Sequence, residues 1–271
     1  MAASAAPILL IGAGRMGGAL LRGWQARGIG PLMVVEPNPG ASLLALARSA
    51  NIRVIGGAAQ APERLRACVI AIKPQILRTE AAHLAPIART GTLMLSIAAG
   101  TSIATLRKHF GRSARIIRAM PNTPGAIGQG ISSLYAPAAI APRERKLAQS
   151  LLAPLGETVW VNKEALIDAT TAVSGSGPAY VFYLVEALAE AGRAIGLPQA
   201  IAEQLARATI MGAGALLAAD ARPPEALRRD VTSPGGTTEA ALKVLMADDG
   251  LAQLMRAAVA AANRRAKELA G

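Results

Sequence analysis

Residues Ile8 to Leu21 read ILLIGAGRMGGALL, and the change of character at the first glycine decides the fold. Ile8–Ile11 is a short, unbroken apolar run of the kind a strand makes when both faces of its sheet are covered. A helix-like pattern follows at Gly17–Ala26. Between them lies Gly12-Ala13-Gly14-Arg15-Met16-Gly17, a G-x-G-x-x-G between a strand and a helix. In that context Gly12 permits a tight turn, and Gly14 lets a pyrophosphate approach the backbone. Gly17 lets the helix lie close on the sheet. The helix N-terminus then offers free N–H groups and a positive dipole end to phosphate. The expectation is a dinucleotide site.

The same alternation continues downstream. Further strand patterns fall at Leu32–Val35, Ile52–Ile55, Val69–Ile72, Thr92–Ile97 and Arg115–Arg118. Helical patterns separate them at Ala41–Ala50, Ile76–Ala88 and Ile103–Phe110. Continuous apolar strands alternating with helices predict a parallel sheet covered on both faces. Two more strands, Gly130–Tyr135 and Thr158–Val161, flank a helix at Pro142–Leu152. Beyond Lys163 no strand is expected, and helices are punctuated by SGSGP, GLP, RPP and SPGG. The predicted architecture is α/β, with a parallel-sheet domain over 1–163 and an all-helical domain over 164–271. Several late helices, IAEQLARATIMGAGALLAA among them, are apolar around much of their girth. Such helices need covering, which predicts a homodimer.

Composition narrows the function classes. The chain of 271 residues is 52% hydrophobic and 17% charged, a globular balance. Its net charge of +12 comes from 23 Arg and 6 Lys scattered singly or in pairs, with only 3% aromatic residues to stack on bases. That favours a basic solvated surface over a nucleic-acid partner. The single Cys68 fits a reducing compartment. MAASAAPILLIG lacks a basic leader, and no uncharged apolar run reaches membrane-spanning length. A cytoplasmic protein without a membrane partner is expected. No Cys/His cluster has metal-ligand spacing, so no metal is expected.

Ligand-facing residues of an open parallel sheet lie beyond the carboxyl ends of its strands. The second strand ends at Glu36, followed by Pro37-Asn38. An acid here accepts from a ribose 2′-OH and repels a 2′-phosphate, a lean toward NAD, although Asn38 and nearby backbone can hold that phosphate if Glu36 turns outward. Ala71-Ile72-Lys73-Pro74 is expected to end the fourth strand, and Ser96-Ile97-Ala98 the fifth. After the sixth, two prolines in Met120-Pro121-Asn122-Thr123-Pro124 stiffen a loop that directs Asn122 and Thr123 toward a nicotinamide amide.

The helical domain holds two starts rich in hydroxyls and glycine, AVSGSGPAY at 172–180 and VTSPGGTTEAAL at 231–242. Helix N-terminal N–H groups with Ser and Thr hydroxyls make a receptor for a carboxylate without a cation. His83 and His109 lie in first-domain helices, and no inward Lys or His is evident for moving an alcohol proton. Reduction of a C=N bond needs less, because a protonated imine arrives electrophilic and carrying its proton. A 3-hydroxyacid dehydrogenase would want a Lys with an Asn one turn later, and neither Lys163 nor Lys243 has one. A non-catalytic dinucleotide sensor would not need the two hydroxyl-rich starts.

In their order and spacing, GAGRMGGAL, AIKPQ, MPNTP, SGSGPAY and DVTSPGGTTEAAL resemble pyrroline-5-carboxylate reductases across essentially the whole chain. The resemblance implies reduction of 1-pyrroline-5-carboxylate to L-proline with NADPH or NADH. It also implies a Rossmann domain followed by a helical dimerisation domain, with dimers often assembled five to a decamer. By matching motif, Gly12, Ala13, Gly14, Arg15 and Met16 would line the pyrophosphate. Lys73, Pro74, Ala98 and Asn122 would lie along the nicotinamide half, to which the strand-end reading adds Ala71 there and Glu36 and Asn38 at the ribose. Ser176, Gly177, Pro178 and Ala179 would sit beside ring and substrate. Ser233, Gly236, Thr237 and Thr238 would hold the substrate carboxylate, Thr238 also bonding the ring nitrogen as the catalytic candidate. The sequence departs from the pattern twice. Arg222 and Asp220 stand near the place of a family acid, and GGAAQAPERL lacks the familiar Asn after the third strand.

Overall fold

The computed structural model describes residues 6–270; Met1–Ala5, part of the stretch expected to carry no basic leader, lie outside the described residues. Eight strands form one sheet in the order β3-β2-β1-β4-β5-β6-β7-β8. The first six, β1 (Ile8–Ile11), β2 (Leu32–Val35), β3 (Arg53–Ile55), β4 (Ala67–Ile70), β5 (Leu93–Ser96) and β6 (Arg115–Met120), are mutually parallel. This is the doubly wound order in which ligands bind where the strand order reverses, beside β1. β7 (Gly130–Tyr135) turns back antiparallel to β6, and β8 (Gly156–Trp160) runs parallel to β7. The reversal follows from the short loop after β6, which leaves no room for a crossover helix.

Side-chain alternation explains how the sheet serves two cores. On β1, Ile8 and Leu10 face α1 (Arg15–Ala26) and α5 (Pro142–Leu152), packing with Leu20, Leu21 and Trp24. Leu9 and Ile11 face α3 (Pro74–Arg89) and α4 (Ile103–Phe110), packing with Leu84, Leu106 and Phe110. Each fully buried aliphatic chain of this strand contributes about 1.5–3 kcal/mol. Trp24 is wholly buried, and its indole N–H donates to the Leu151 carbonyl at 2.7 Å, tying α1 to α5. α2 (Ala41–Ser49) is the lightest cover, with Ala47 its one buried residue.

Strand β4 starts and stops earlier than its hydrophobic run suggests. Ala67 pairs with Ile8 and Ile70 with Ile11, so the length of β1 sets that of β4. Ala71–Lys73 is therefore the turn into α3 and not the strand end. β3 begins at Arg53 and β8 at Gly156, also displaced from the sequence reading.

By packing, residues through Gly175 together with those from Ala262 onward form one compact unit, and Ser176–Ala261 forms a second. The first unit includes α6 (Ala165–Thr170) and the π-helical turn Thr171–Gly175. The second is helical throughout, with α7 (Gly177–Ala194), α8 (Gln199–Ala219), α9 (Pro224–Asp230), α10 (Thr237–Leu245) and the first part of α11 (Leu251–Ala270). Its buried side chains are alanines (Ala189, Ala202 and Ala206), whereas Phe182, Tyr183, Met211 and Leu216 are each more than 60% exposed. No helix among the described residues is long and apolar enough to cross a membrane.

Candidate active site

The turn after β1 is built for close approach. Gly12 has φ +88°, a backbone conformation that L side chains rarely adopt, and a Cβ there would lie 2.5 Å from Ile72 Cγ2. A Cβ on Gly17 would run into the Gly12 carbonyl, so α1 rests directly on the turn. Gly14 differs, because nothing lies within 4 Å of its Cβ position. That open side is the one left for a ligand. Gly14 caps α1 without a side-chain bond, and the first turn carries no acid. The N–H groups of Arg15, Met16 and Gly17 thus have no intrahelical partner, the arrangement that suits a pyrophosphate.

Glu36, at the end of β2, turns inward. Its Oε2 accepts the Ala13 N–H at 3.0 Å, and its Oε1 lies 3.5 Å from the Asn38 N–H. A groove of about 280 Å³ opens here between α1 and α2, lined by Gly14, Arg22, Glu36, Asn38, Ser42 and Leu43. Arg22 and Ser42 were not singled out from sequence. Their signal was positional, since Arg22 stands one turn beyond Gly18 and Ser42 is in the first turn of the next helix.

Farther along the same edge, Lys73 caps α3 with Pro74 as its first residue, and Lys73 is exposed. Ala98 is 3% exposed, and its N–H is 3.4 Å from Ser96 Oγ, so it can meet a ligand only through backbone or methyl surface. Asn122 is engaged at both ends of its amide: Nδ2 donates to the Ser174 carbonyl at 3.1 Å, and Oδ1 accepts the Ile131 N–H at 2.9 Å. Gly12–Met16, Glu36, Asn38, Ala71, Lys73, Pro74, Ala98 and Asn122 all sit at the carboxyl ends of β1, β2, β4, β5 and β6. These strands are neighbours in the sheet, so residues spread over a hundred positions share one edge.

In the second unit the two hydroxyl-rich segments begin α7 and α10. Ser176 precedes α7 and makes no side-chain cap, with Gly177 and Pro178 in the first turn. The 231–238 loop is more elaborate. Thr232 Oγ1 donates to the Arg228 carbonyl at 2.6 Å, closing α9. Gly235 takes φ +72°, and its N–H donates to Glu239 at 2.8 Å. A Cβ on Gly236 would approach Ser233 Oγ to 2.6 Å, so the loop folds tightly over that glycine. Gly236 caps α10 without a side-chain bond. None of the hydroxyls of Ser233, Thr237 and Thr238 is spent on a cap, and the first-turn N–H groups of α10 stay available. Hydroxyls and amides are thus left unspent at this helix start, beside the Glu239 carboxylate that accepts the Gly235 N–H.

Upstream, Arg222 donates to both oxygens of Asp220 and, at 2.9 Å, to Asp230. The guanidinium holds the Asp220 carboxyl below the usual carboxylate range. Asp220 is thus a paired anion.

Comparison with known proteins bears on both units. The family model for pyrroline-5-carboxylate reductase dimerisation matches residues 164–269, and the model described as NADP oxidoreductase, coenzyme F420-dependent, matches 7–100. The pyrroline-5-carboxylate reductase of Pseudomonas aeruginosa is 40% identical over 97% of this chain and 96% of its own length. That of Pisum sativum is 36% identical over 96% and 94%. Among solved structures, a pyrroline-5-carboxylate reductase from Coxiella burnetii superposes with TM-score 0.90 at 34% identity, covering 98% of this chain and 99% of the other. The Plasmodium falciparum pyrroline carboxylate reductase with NADP bound gives 0.81 at 26% identity, over 98% and 99%.

Proposed function

The chain belongs to the pyrroline-5-carboxylate reductase family, and from that premise we propose that it reduces 1-pyrroline-5-carboxylate to L-proline, the closing step of proline biosynthesis. The observation that carries the reading is the start of α10, where Ser233, Thr237 and Thr238 surround uncapped N–H groups and the anion receptor contains no cation. A receptor of that kind binds the substrate carboxylate without repelling the neighbouring iminium charge.

The bound nicotinamide, from NADPH or NADH, supplies the hydride. The chain's part is to hold and orient. Gly12, Ala13, Gly14, Arg15 and Met16 receive the pyrophosphate, and Glu36 with Asn38 faces the adenosine ribose. Ala71, Lys73, Pro74 and Ala98 flank the nicotinamide half. Ser176 and Gly177 bound the substrate ring, and Ser233, Gly236 and Thr237 take its carboxylate. Thr238 Oγ1 accepts the N–H of the protonated imine and keeps the ring nitrogen fixed while C=N becomes C–N. No general acid is required, because the imine brings its proton.

In this reading residues 1–163 are the nucleotide-binding domain and 164–271 the dimerisation and substrate domain. The exposed apolar side chains of α7 and α8 and the dimerisation-model match support association of two copies, either as the dimer alone or as five dimers in a decamer. The protein works in the cytoplasm, without nucleic-acid or membrane partners. The deciding experiment is a steady-state assay of purified full-length protein with 1-pyrroline-5-carboxylate and each reduced cofactor. Substrate-dependent oxidation of at least one is expected; oxidation of neither overturns the assignment.

A further inference from the structure

Between the sheet and the start of α7, the chain is fastened at three successive points. Arg118 on β6 donates to Asp168 at 2.7 Å, Ser133 on β7 shares a 2.6 Å hydrogen bond with Thr170, and Asn122 donates to the Ser174 carbonyl at 3.1 Å. The first two hold α6. The third holds the π-helical turn, whose i→i+5 bonding lacks the regular α-helical ladder. Asn122 works there as a strut, because its Oδ1 is anchored by the Ile131 N–H at 2.9 Å. The strut is tightly packed at its acceptor end, and the residue after its donor-end partner is close to Met120. A Cβ on Gly130 would lie 2.7 Å from Asn122 Oδ1, and one on Gly175 would lie 3.2 Å from Met120 Cε.

We propose that Asn122 is a positioning residue for the reductase, fixing the Ser174–Gly175 backbone from which the Ser176-Gly177-Pro178 start of α7 departs, and that it makes no bond to the nicotinamide amide. The role rests on the reductase reading above. Its chemistry is specific. A carboxamide presents a donor and an acceptor from one planar group, and here the donor meets a carbonyl and the acceptor meets an N–H. An aspartate of the same shape keeps the acceptor toward Ile131 but sets a negative oxygen against the Ser174 carbonyl. Misplacement of a substrate-bordering segment by a fraction of an ångström lowers the rate of the chemical step more than it lowers ground-state affinity.

The test compares wild-type, Asn122→Asp and Asn122→Ala full-length proteins, assayed well below their unfolding temperatures. Asn122→Asp leaves the Ile131 anchor in place and so reports even if Asn122→Ala fails to fold. The expected result is a kcat lowered about tenfold or more. The dissociation constant of the reduced cofactor, read by its fluorescence, stays within about twofold of wild type, and the deuterium isotope effect on hydride transfer rises. A cofactor constant weakened in step with kcat/KM, with kcat retained, would mean direct nicotinamide contact and overturns the proposal. Unchanged kinetics with only a lower unfolding temperature overturns it as well. A wild-type protein without turnover sinks the reductase reading itself and this role with it, a failure distinct from either.

Discussion

The carboxylate of Glu36 accepts the backbone N–H of Ala13 at 3.0 Å, so an acid from the end of β2 is seated inside the phosphate-binding turn that follows β1. A ribose 2′-OH placed there meets an acceptor, whereas a 2′-phosphate meets a like charge. At a dielectric between surface and bulk-water values, that repulsion is about 1–3 kcal/mol. Glu36→Gln should therefore raise kcat/KM for NADPH relative to NADH by about tenfold. The measurement is the ratio of the two specificity constants in wild type and variant. An unchanged ratio means that Glu36 does not face the 2′ position.

Thr238→Ala removes one hydroxyl from the start of α10, where it serves no cap. A hydrogen bond to a charged group contributes about 1.5–3 kcal/mol, so kcat/KM for 1-pyrroline-5-carboxylate should fall about ten- to a hundredfold. Cofactor affinity should hold. Thr238→Ser, which restores the hydroxyl, should recover most of the loss. Failure of the serine variant to recover would assign the effect to the methyl group.

Asp168 is 7% exposed and is paired with Arg118, itself 2% exposed. Asp168→Ala strands a buried guanidinium, and the expected destabilisation is about 3 kcal/mol by denaturant titration. Glu164 softens the loss because it also reaches Arg118, at 3.3 Å, while accepting the Ile103 N–H. The Asp168→Ala/Glu164→Gln double variant should thus lose more than the sum of the single variants.

Glu144 gives a pH signature. Hydrogen bonding to the Arg115 side chain, with the Ala141 N–H assisting against burial, holds its carboxyl below the usual carboxylate range. A depressed folded-state pKa means that the unfolded chain takes up the proton first as acid is added. The stabilisation is therefore complete above the unfolded value of about 4.3 and is lost as pH falls through the lower folded value. Arg115 is 35% exposed, so solvent screening keeps the contribution to about 1 kcal/mol. Glu144→Gln should be less stable than wild type by that amount at pH 7, and the two should converge on acidification below the folded value.

Short apolar runs bounded by turn residues made β1 and β2 legible to the residue, as was β7, and the first glycine after β1 marked the nucleotide turn. The bounds of β4 were not legible, because its partner strand sets them. The reversal at β7 was equally hidden, since an apolar run carries no sign of its direction. At the site, spacing placed Glu36 at the carboxyl end of β2 but could not say which way its carboxylate pointed. Asn122 is expected at the cofactor because its loop follows a strand at the carboxyl edge. Its hydrogen-bond partners within the chain, Ser174 and Ile131, are 52 and 9 residues away, beyond any local pattern. One signal was present and unread. Arg118 stands in the middle of strand RIIRAM, between apolar neighbours, and a charge there demands a buried partner; Glu164 and Asp168, one helical turn apart, supply it.

The return of α11 to the first unit, where Leu269 lies so near Gly100 that a Cβ there would sit 3.0 Å from its own, makes the helical unit an insertion within the first unit's sequence. During synthesis the amino-terminal unit stays short of the last turns of α11 until nearly every later residue has left the ribosome. A gene fragment cut at Gly175 would encode a fold with a missing piece, and a single protease nick in an interhelical loop would still leave each severed part carrying a share of the first unit.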